Sequence, residues 1–316
     1  MIEFPKVVAL VATELRTEGV YMRYPFRIRI MDSCLYAMDL HASEYFCHRL
    51  DYPSMKYQRS LMRFGRAPGE YSDAENIRID RHRRLWTLDA NKRQLMAFTP
   101  GTDTLLCEIK LSEELIRPLD FDFYDDSTFI IPDYSGQHRI CLVNREGEIV
   151  KRLFSVPTRK SHKADIPLAQ AWRGFIDYNP TNHLLAIATQ LGEVIELYNL
   201  KENKLLKVIY GKSGEPVYNT KEGYAIPDGI MGYSDVSVGR KHIYALFWGH
   251  TFKDMKKGLI KKEGGRILRV FDLKGNPVCQ YLLDRHVTCF TVNEQTHIFT
   301  ALDVNSNQPI VEYKLE

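Results

Sequence analysis

The chain has 316 residues, 44% hydrophobic and 26% charged, with 43 Lys and Arg against 40 Asp and Glu for a net charge of +3. This is ordinary globular composition and excludes a disordered, collagen-like or membrane-bundle chain. No apolar run approaches the ~20 residues that span a bilayer, and the charge balance gives no pull toward nucleic acid, so neither a transmembrane segment nor a nucleic-acid partner is expected.

Taken in chain order, the start Met1–Lys6 lacks a basic segment followed by an apolar one, so no secretory signal is expected. The strand-like run Val7–Leu15 follows. Next come Phe26–Ile30, Leu35–Asp39, Tyr45–Leu50 and Tyr57–Phe64, four short runs joined by polar turns. The pattern is clearest in the second group: Ala74–Asp80, Leu85–Asp89, Gln94–Phe98 and Thr104–Ile109 read as a four-stranded antiparallel meander. It recurs from Phe121 to Phe154, from Phe175 to Tyr210, from Val236 to Leu283, and with three strands only from Cys289 to Leu315.

The second strand of each group ends at Asp39, Asp89, Asp133, Thr189, Phe247 and Asp303, steps of 50, 44, 56, 58 and 56 residues. Propeller blades carry four strands and typically span ~40–50 residues. The longer steps have visible causes in the polar connection from Phe154 to Trp172 and the Lys-rich loop from Thr251 to Gly265. The economical reading is all-β: one six-bladed β-propeller domain over 1–316. Its blades fall roughly at 23–64, 74–110, 119–154, 173–210, 233–283 and 286–315 plus 6–16. Two packed β-sandwiches would not need the same four-strand order six times. Because the sixth copy is one strand short, Val7–Leu15 is expected to dock there as the outer strand and close the ring, covering an edge that would otherwise pair with another chain.

The second group also carries a resemblance. Its Asn76–Asp80, Leu85–Asp89 and Lys92–Phe98 resemble an NHL-type propeller repeat. The preceding Phe64-Gly65-Arg66-Ala67-Pro68-Gly69-Glu70-Tyr71 is similar to the turn of TolB-like six-bladed propeller proteins abundant in Bacteroidales. Blade pattern extends the resemblance over most of the chain, although the fourth copy has Thr189 where the pattern has Asp. The resemblance implies fold more than function, since one fold hosts many functions. Many members of the family look like exported lipoproteins, which leaves the compartment open.

Local chemistry motifs are sparse. The six cysteines, Cys34, Cys47, Cys107, Cys141, Cys279 and Cys289, form no CxxC pair and are expected as free thiols. Gly211-Lys212-Ser213 lacks the upstream glycine and the following helix of a phosphate loop, and reads as a blade-to-blade turn echoing Gly65–Tyr71. Asp120, Asp122, Asp125 and Asp126 lack calcium-loop spacing. Asp125-Asp126-Ser127 reads as a hairpin turn, and Asp120 and Asp122 share one strand face that could line the channel. The histidines are dispersed, with no HExxH, so no metal or cofactor is expected. The basic run Lys253–Glu263 reads as a mobile, solvated loop, with an acidic partner as the alternative.

One positional set stands out. In a propeller the innermost strand of each blade lines the channel, so the residues entering those strands gather at one mouth. Here they are Arg23, Tyr24, Arg117, Trp172, Arg173, Tyr233, Arg285 and His286, with Asp120 just inside. Arg117, Arg173 and Arg285 are expected to approach one another there. Arginine suits carboxylate or phosphate, and aromatics suit sugar or peptide faces. The expected function is therefore a non-enzymatic ligand- or protein-binding propeller with its site at the channel mouth. The ligand is anionic, sugar or peptide, or the partner is a protein. The alternative is a metal-dependent hydrolase or lactonase of the six-bladed type, but the Glu, Asn and Asp set that those enzymes place on a central calcium has no motif here, and no catalytic residue is assigned. A scaffold acting through blade edges or the Lys253–Lys262 loop is the third reading.

Overall fold

The computed structural model describes residues 2–41, 43–159, 166–219 and 228–316. It shows six antiparallel blades in a ring, as the repeats predict. The first contains Pro25–Met31, Cys34–Asp39, Tyr45–Asp51 and Tyr57–Arg63; the second, Ala74–Ile79, Leu85–Asp89, Gln94–Phe98 and Leu105–Lys110. The third contains Asp122–Phe123, Thr128–Pro132, Ile140–Asn144 and Ile149–Leu153; the fourth, Gly174–Asn179, Leu184–Thr189, Val194–Asn199 and Lys204–Tyr210. The fifth is built from Ile230–Val238, His242–Thr251, Gly265–Asp272 and Pro277–Val287, and the sixth from Cys289–Asn293, Ile298–Leu302 and Ile310–Lys314. Residues 160–165, part of the connection anticipated between Phe154 and Trp172, lie outside the described residues.

Both faces of the middle strands are buried, because each blade packs against two neighbours. Leu85–Asp89 and Leu184–Thr189 are buried at every position. The apolar side chains collect in seams between blades: Tyr36 and Met38 with Ile77 and Phe98, Trp86 and Leu88 with Phe121 and Phe129, and Ile130 and Leu142 with Leu185 and Tyr198. The series continues with Ala186 and Ile195 against Ala245 and Phe271, Leu246 and Tyr281 against Phe299 and Tyr313, and Leu302 and Ile310 against Ile28 and Leu35. The last seam joins the sixth blade to the first and closes the ring. Each fully buried Leu, Ile or Phe contributes roughly 1.5–3 kcal/mol. The seams, more than any one blade, therefore hold the fold.

Closure differs in detail from the sequence expectation. Only Thr13–Glu14 completes the sixth blade, antiparallel to Ile310–Lys314. Val7–Leu10 instead adds a fifth strand to the fifth blade, parallel to Pro277–Val287, with Val7 opposite Gln280 and Leu10 opposite Leu283. The run straddles a seam: Leu10 is buried in the cluster shared by blades five and six, with Val8 and Ala12 packed on it. Between the two pairings Asp284 accepts a hydrogen bond from the Ala12 N–H at 3.1 Å, turning the chain from one blade to the next. All six cysteines are free, as expected.

Candidate functional site

The channel is built from the first strand of every blade, and its side chains alternate between seam and lumen. Arg27, Arg78, Asp120, Asp122 and Asp235 are buried there. Arg78 bridges three blades. It contacts Asp122 at 2.8 Å, Asp177 at 3.1 Å and Asp120 at 3.3 Å, and donates to the Ile176 carbonyl at 2.6 Å. Arg27 reaches from the first blade over the Phe175 ring of the fourth, 4.5 Å from its centroid.

The carboxylates also clasp blade to blade. Asp120 accepts from the Ile176 N–H, Asp122 from Tyr178, Asp177 from Val238 and Asp235 from Phe290. Burial pushes the Asp122 carboxyl up to about 7, against the lowering field of Arg78 and with Asp177 adding to the rise. Burial likewise raises Asp177. The channel centre is thus occupied by a cross-linked polar core, in which the buried Nε of Arg78 has no hydrogen-bond partner among the described residues. The Asp125–Ser127 turn forms as read, with the Asp125 carboxylate accepting from the Ser127 N–H at 2.8 Å.

The chain entering each inner strand lies beside the turn that leaves the second strand, so these two loop sets share one face. The Asp39 carboxylate binds the N–H groups of Arg23 and Tyr24, both at 2.7 Å. Asp89 binds those of Ser72 and Lys92. The repeated Asp at the end of the second strand accepts from an N–H of the turn that follows it, at His41, Lys92, Ser135 and Asn305, and in blades one and two it also caps the entry loop of its own blade.

On this face the candidate residues fall into three groups. Tyr24 and His286 both contact the loop inserted in blade five, and Arg285, next to His286 in sequence, pairs with Asp303 of blade six. Tyr24 packs its ring on His41 at 4.9 Å and its hydroxyl hydrogen-bonds Glu263 of the loop inserted in blade five. The side chain of Arg23 is exposed nearby in sequence. Arg285 lies 3.7 Å from Glu14 and 3.8 Å from Asp303. The Nδ1 of His286 is 3.2 Å from the Gly264 carbonyl, and its ring stacks on His250 with centroids 6.5 Å apart.

The second group lies elsewhere on the ring. Arg117 is exposed, in a left-handed conformation at φ 49°, with its charge acting on Asp73. The charge of Arg173 acts on the buried Tyr134 hydroxyl, as does that of Asp120. The third group is interior. Trp172 is buried with Val156, Leu168 and Val194. Tyr233 is buried in the seam between blades four and five, where its hydroxyl accepts from Arg269 at 2.9 Å; Arg269 in turn pairs with Glu193 at 2.7 Å.

The inserted loop is more ordered than its composition implies. Phe252–Lys256 forms a short helix capped by Thr251, whose hydroxyl accepts from the Asp254 N–H at 3.0 Å. Asn305 accepts from the Glu263 N–H at 2.9 Å and donates back to its carbonyl, pinning the loop to blade six. Between this loop and the extended strand ends of blade five is a cleft of ≈ 320 Å³, lined by Trp248, His250, Lys261, Lys262, Arg266 and His286 with aliphatic side chains. None of the described residues lining it is acidic.

Of this cleft, the sequence reading picked out His286 by position and the Lys261–Lys262 pair only as a basic run. Trp248, His250 and Arg266 were missed. They sit where the second and third strands of blade five overrun the blade, and the unusual length of His242–Thr251 was the available signal. Among the described residues no group of three or more His, Cys, Asp and Glu is placed to hold a metal ion.

Fold and channel together define a six-bladed β-propeller with a loop-bearing face. The chain belongs to the TolB-like 6-blade propeller-like family, whose model matches residues 3–295. Solved structures agree on the fold. A member of the DUF4221 family from Bacteroides vulgatus is 12% identical with a TM-score of 0.66, over 100% of this chain and 98% of that one. A putative exported protein from Bacteroides fragilis is 9% identical with a TM-score of 0.62, over 98% and 99%. The β-propeller domain of Cps50 (Swd1) from Myceliophteria thermophila is 12% identical with a TM-score of 0.53, over 96% and 100%. No curated protein matched the chain.

Proposed function

We propose that the protein is a non-enzymatic binding module that captures its ligand or partner on the face carrying the blade-entry loops. The rim of blades one, five and six is its centre, with Arg23, Tyr24, Arg285 and His286 around it and Arg117 and Arg173 as outlying contacts. The observation that carries this reading is the inserted loop of blade five. It is the longest departure from the blade pattern there, is anchored to blades one and six through Tyr24 and Asn305, and forms a cleft instead of packing flat. An insertion that creates a concave, polar-edged recess on a rigid scaffold is where binding residues concentrate. The channel itself offers less, because Arg78 is already engaged by three carboxylates and the Ile176 carbonyl.

The test is to replace residues 252–263 with a short Gly-Asn turn and screen both proteins by thermal shift against one small-molecule and peptide library. The shortened protein should melt within a few degrees of the parent and lose the stabilisation given by parental hits. Hits that stabilise both proteins equally would move the site off this face.

A further inference from the structure

The cleft of blade five has two properties that together specify a ligand class. It concentrates positive charge: Lys261, Lys262 and Arg266 line it with two imidazoles, and no lining residue is acidic. It also offers apolar surface: Leu259 and Ile260 from the loop and Trp248 from the strand end. The indole N–H of Trp248 is buried and has no hydrogen-bond partner among the described residues. We propose, building on the binding-face reading above, that this cleft takes a small organic oxyanion, an aryl or alkyl group bearing a sulfate or phosphate ester. We further propose that His250 and His286 take up a proton as it binds.

The geometry supplies the coupling. The two rings are stacked at 29° to each other, so two imidazolium charges would lie side by side. Burial is the main cause holding both below the ordinary imidazole value, with Arg266, His250 and Lys262 adding to the depression of His286. Two groups oppose this: Asp254 on the short helix raises His250, and the Gly264 carbonyl raises His286. The balance leaves both rings neutral at pH 7. An oxyanion entering the cleft offsets the repulsion among Lys261, Lys262, Arg266 and a protonated ring, and favours the charged imidazole. By linkage, binding then strengthens as pH falls. Trp248 and the loop aliphatics accept the organic part, which distinguishes such a ligand from a bare inorganic ion.

Phenyl sulfate is a suitable probe because its own charge is constant between pH 5.5 and 7.5. Titration followed by tryptophan emission and by calorimetry in buffers of different ionisation heat should give binding at least about tenfold tighter at pH 5.5, with net proton uptake. Lys261→Glu with Lys262→Glu, both exposed, should weaken binding at least about tenfold at both pH values. His250→Gln with His286→Gln should abolish the pH dependence and the proton uptake, bringing the ratio of affinities at pH 5.5 and pH 7.5 to about one. Affinity independent of pH, absence of proton uptake, or full affinity in the Lys261/Lys262 variant would overturn the proposal. No binding of phenyl sulfate at either pH would overturn the ligand class. In both cases the loop-replacement screen still reports separately on the binding face.

Discussion

Arg78 shows how a single residue can fix the centre of a propeller and set its response to pH. One guanidinium faces three carboxylates, Asp120, Asp122 and Asp177, all at or within 3.3 Å. The excess negative charge sits away from water, so one carboxyl is driven toward its neutral form. Asp122, pushed up to about 7 against an ordinary 3.8, is the group that yields. Between those two values the folded protein holds a proton that the unfolded chain lacks. Asp122 therefore contributes stability at low pH that is lost as pH rises toward 7, with a slope of at most ~1.4 kcal/mol per pH unit. Asp39, Asp80 and Asp125 are shifted down and act in the opposite sense. Comparison with Asp122→Asn isolates the term. Urea midpoints at pH 5 and pH 8 should show the variant losing less stability, or gaining more, across that interval than the parent. An identical pH difference in both proteins would place the extra proton elsewhere. From the sequence, Asp120 and Asp122 share one face that could line the channel. Their partners were not readable, because Arg78 and Asp177 come from other blades and meet across 99 residues of sequence.

Elements carry their rules more openly. The Asp at the end of the second strand was visible in four of the six copies, and in each it accepts from an N–H of the turn that follows. Asp89 accepts from the Ser72 N–H and hydroxyl and from the Lys92 N–H, all within 3.1 Å. The departures are local solutions to the same need. In blade four the Thr189 hydroxyl bonds Val194 within its own hairpin, and the entry loop keeps the backbone bond that blades one and two also have, here from the Gln190 N–H to the Arg173 carbonyl at 2.7 Å. In blade five the strand runs on past Phe247 to Thr251, and the inserted loop takes the place of the turn. The turn echo is also physical. A Cβ on Gly65 would lie 1.9 Å from Glu70, and one on Gly211 1.9 Å from Glu193, so each glycine lets a glutamate clasp its turn. Asp89→Ala strips two half-buried N–H groups and a hydroxyl of a fully buried acceptor and should cost roughly 1–3 kcal/mol. Denaturant unfolding checks it; a loss under about 0.5 kcal/mol would mean that water replaces the carboxylate. The cleft, unlike the departures at Thr189 and Phe247, escaped sequence reading. Its residues lie where blade five abandons the repeat, and a repeat-based comparison has no register there.

At the scale of the whole ring, the N-terminal segment performs two tasks that the sequence presented as one. Alternating apolar residues from Val7 to Leu15 correctly signalled a closing strand, but parallel pairing leaves no hairpin signature, so its division between two blades could not be read. The division makes a differential prediction. Removing residues 2–11 strips the fifth strand of blade five, the Phe4 ring on Phe271 and the Leu10 contribution to the seam, yet leaves Thr13–Glu14 in blade six. Blade five keeps four strands, so the protein should keep the parent's association state with a lowered melting temperature. Removing residues 2–16 also exposes the edge of Ile310–Lys314 and takes away Glu14, a partner of Arg285. An unpaired edge strand invites pairing with another chain, so this second truncation should associate or aggregate where the first does not. Size-exclusion chromatography with thermal unfolding separates the cases. If both truncations behave alike, the two-residue pairing contributes nothing to closure, and the ring is held by the seam between Leu302, Ile310, Ile28 and Leu35 alone.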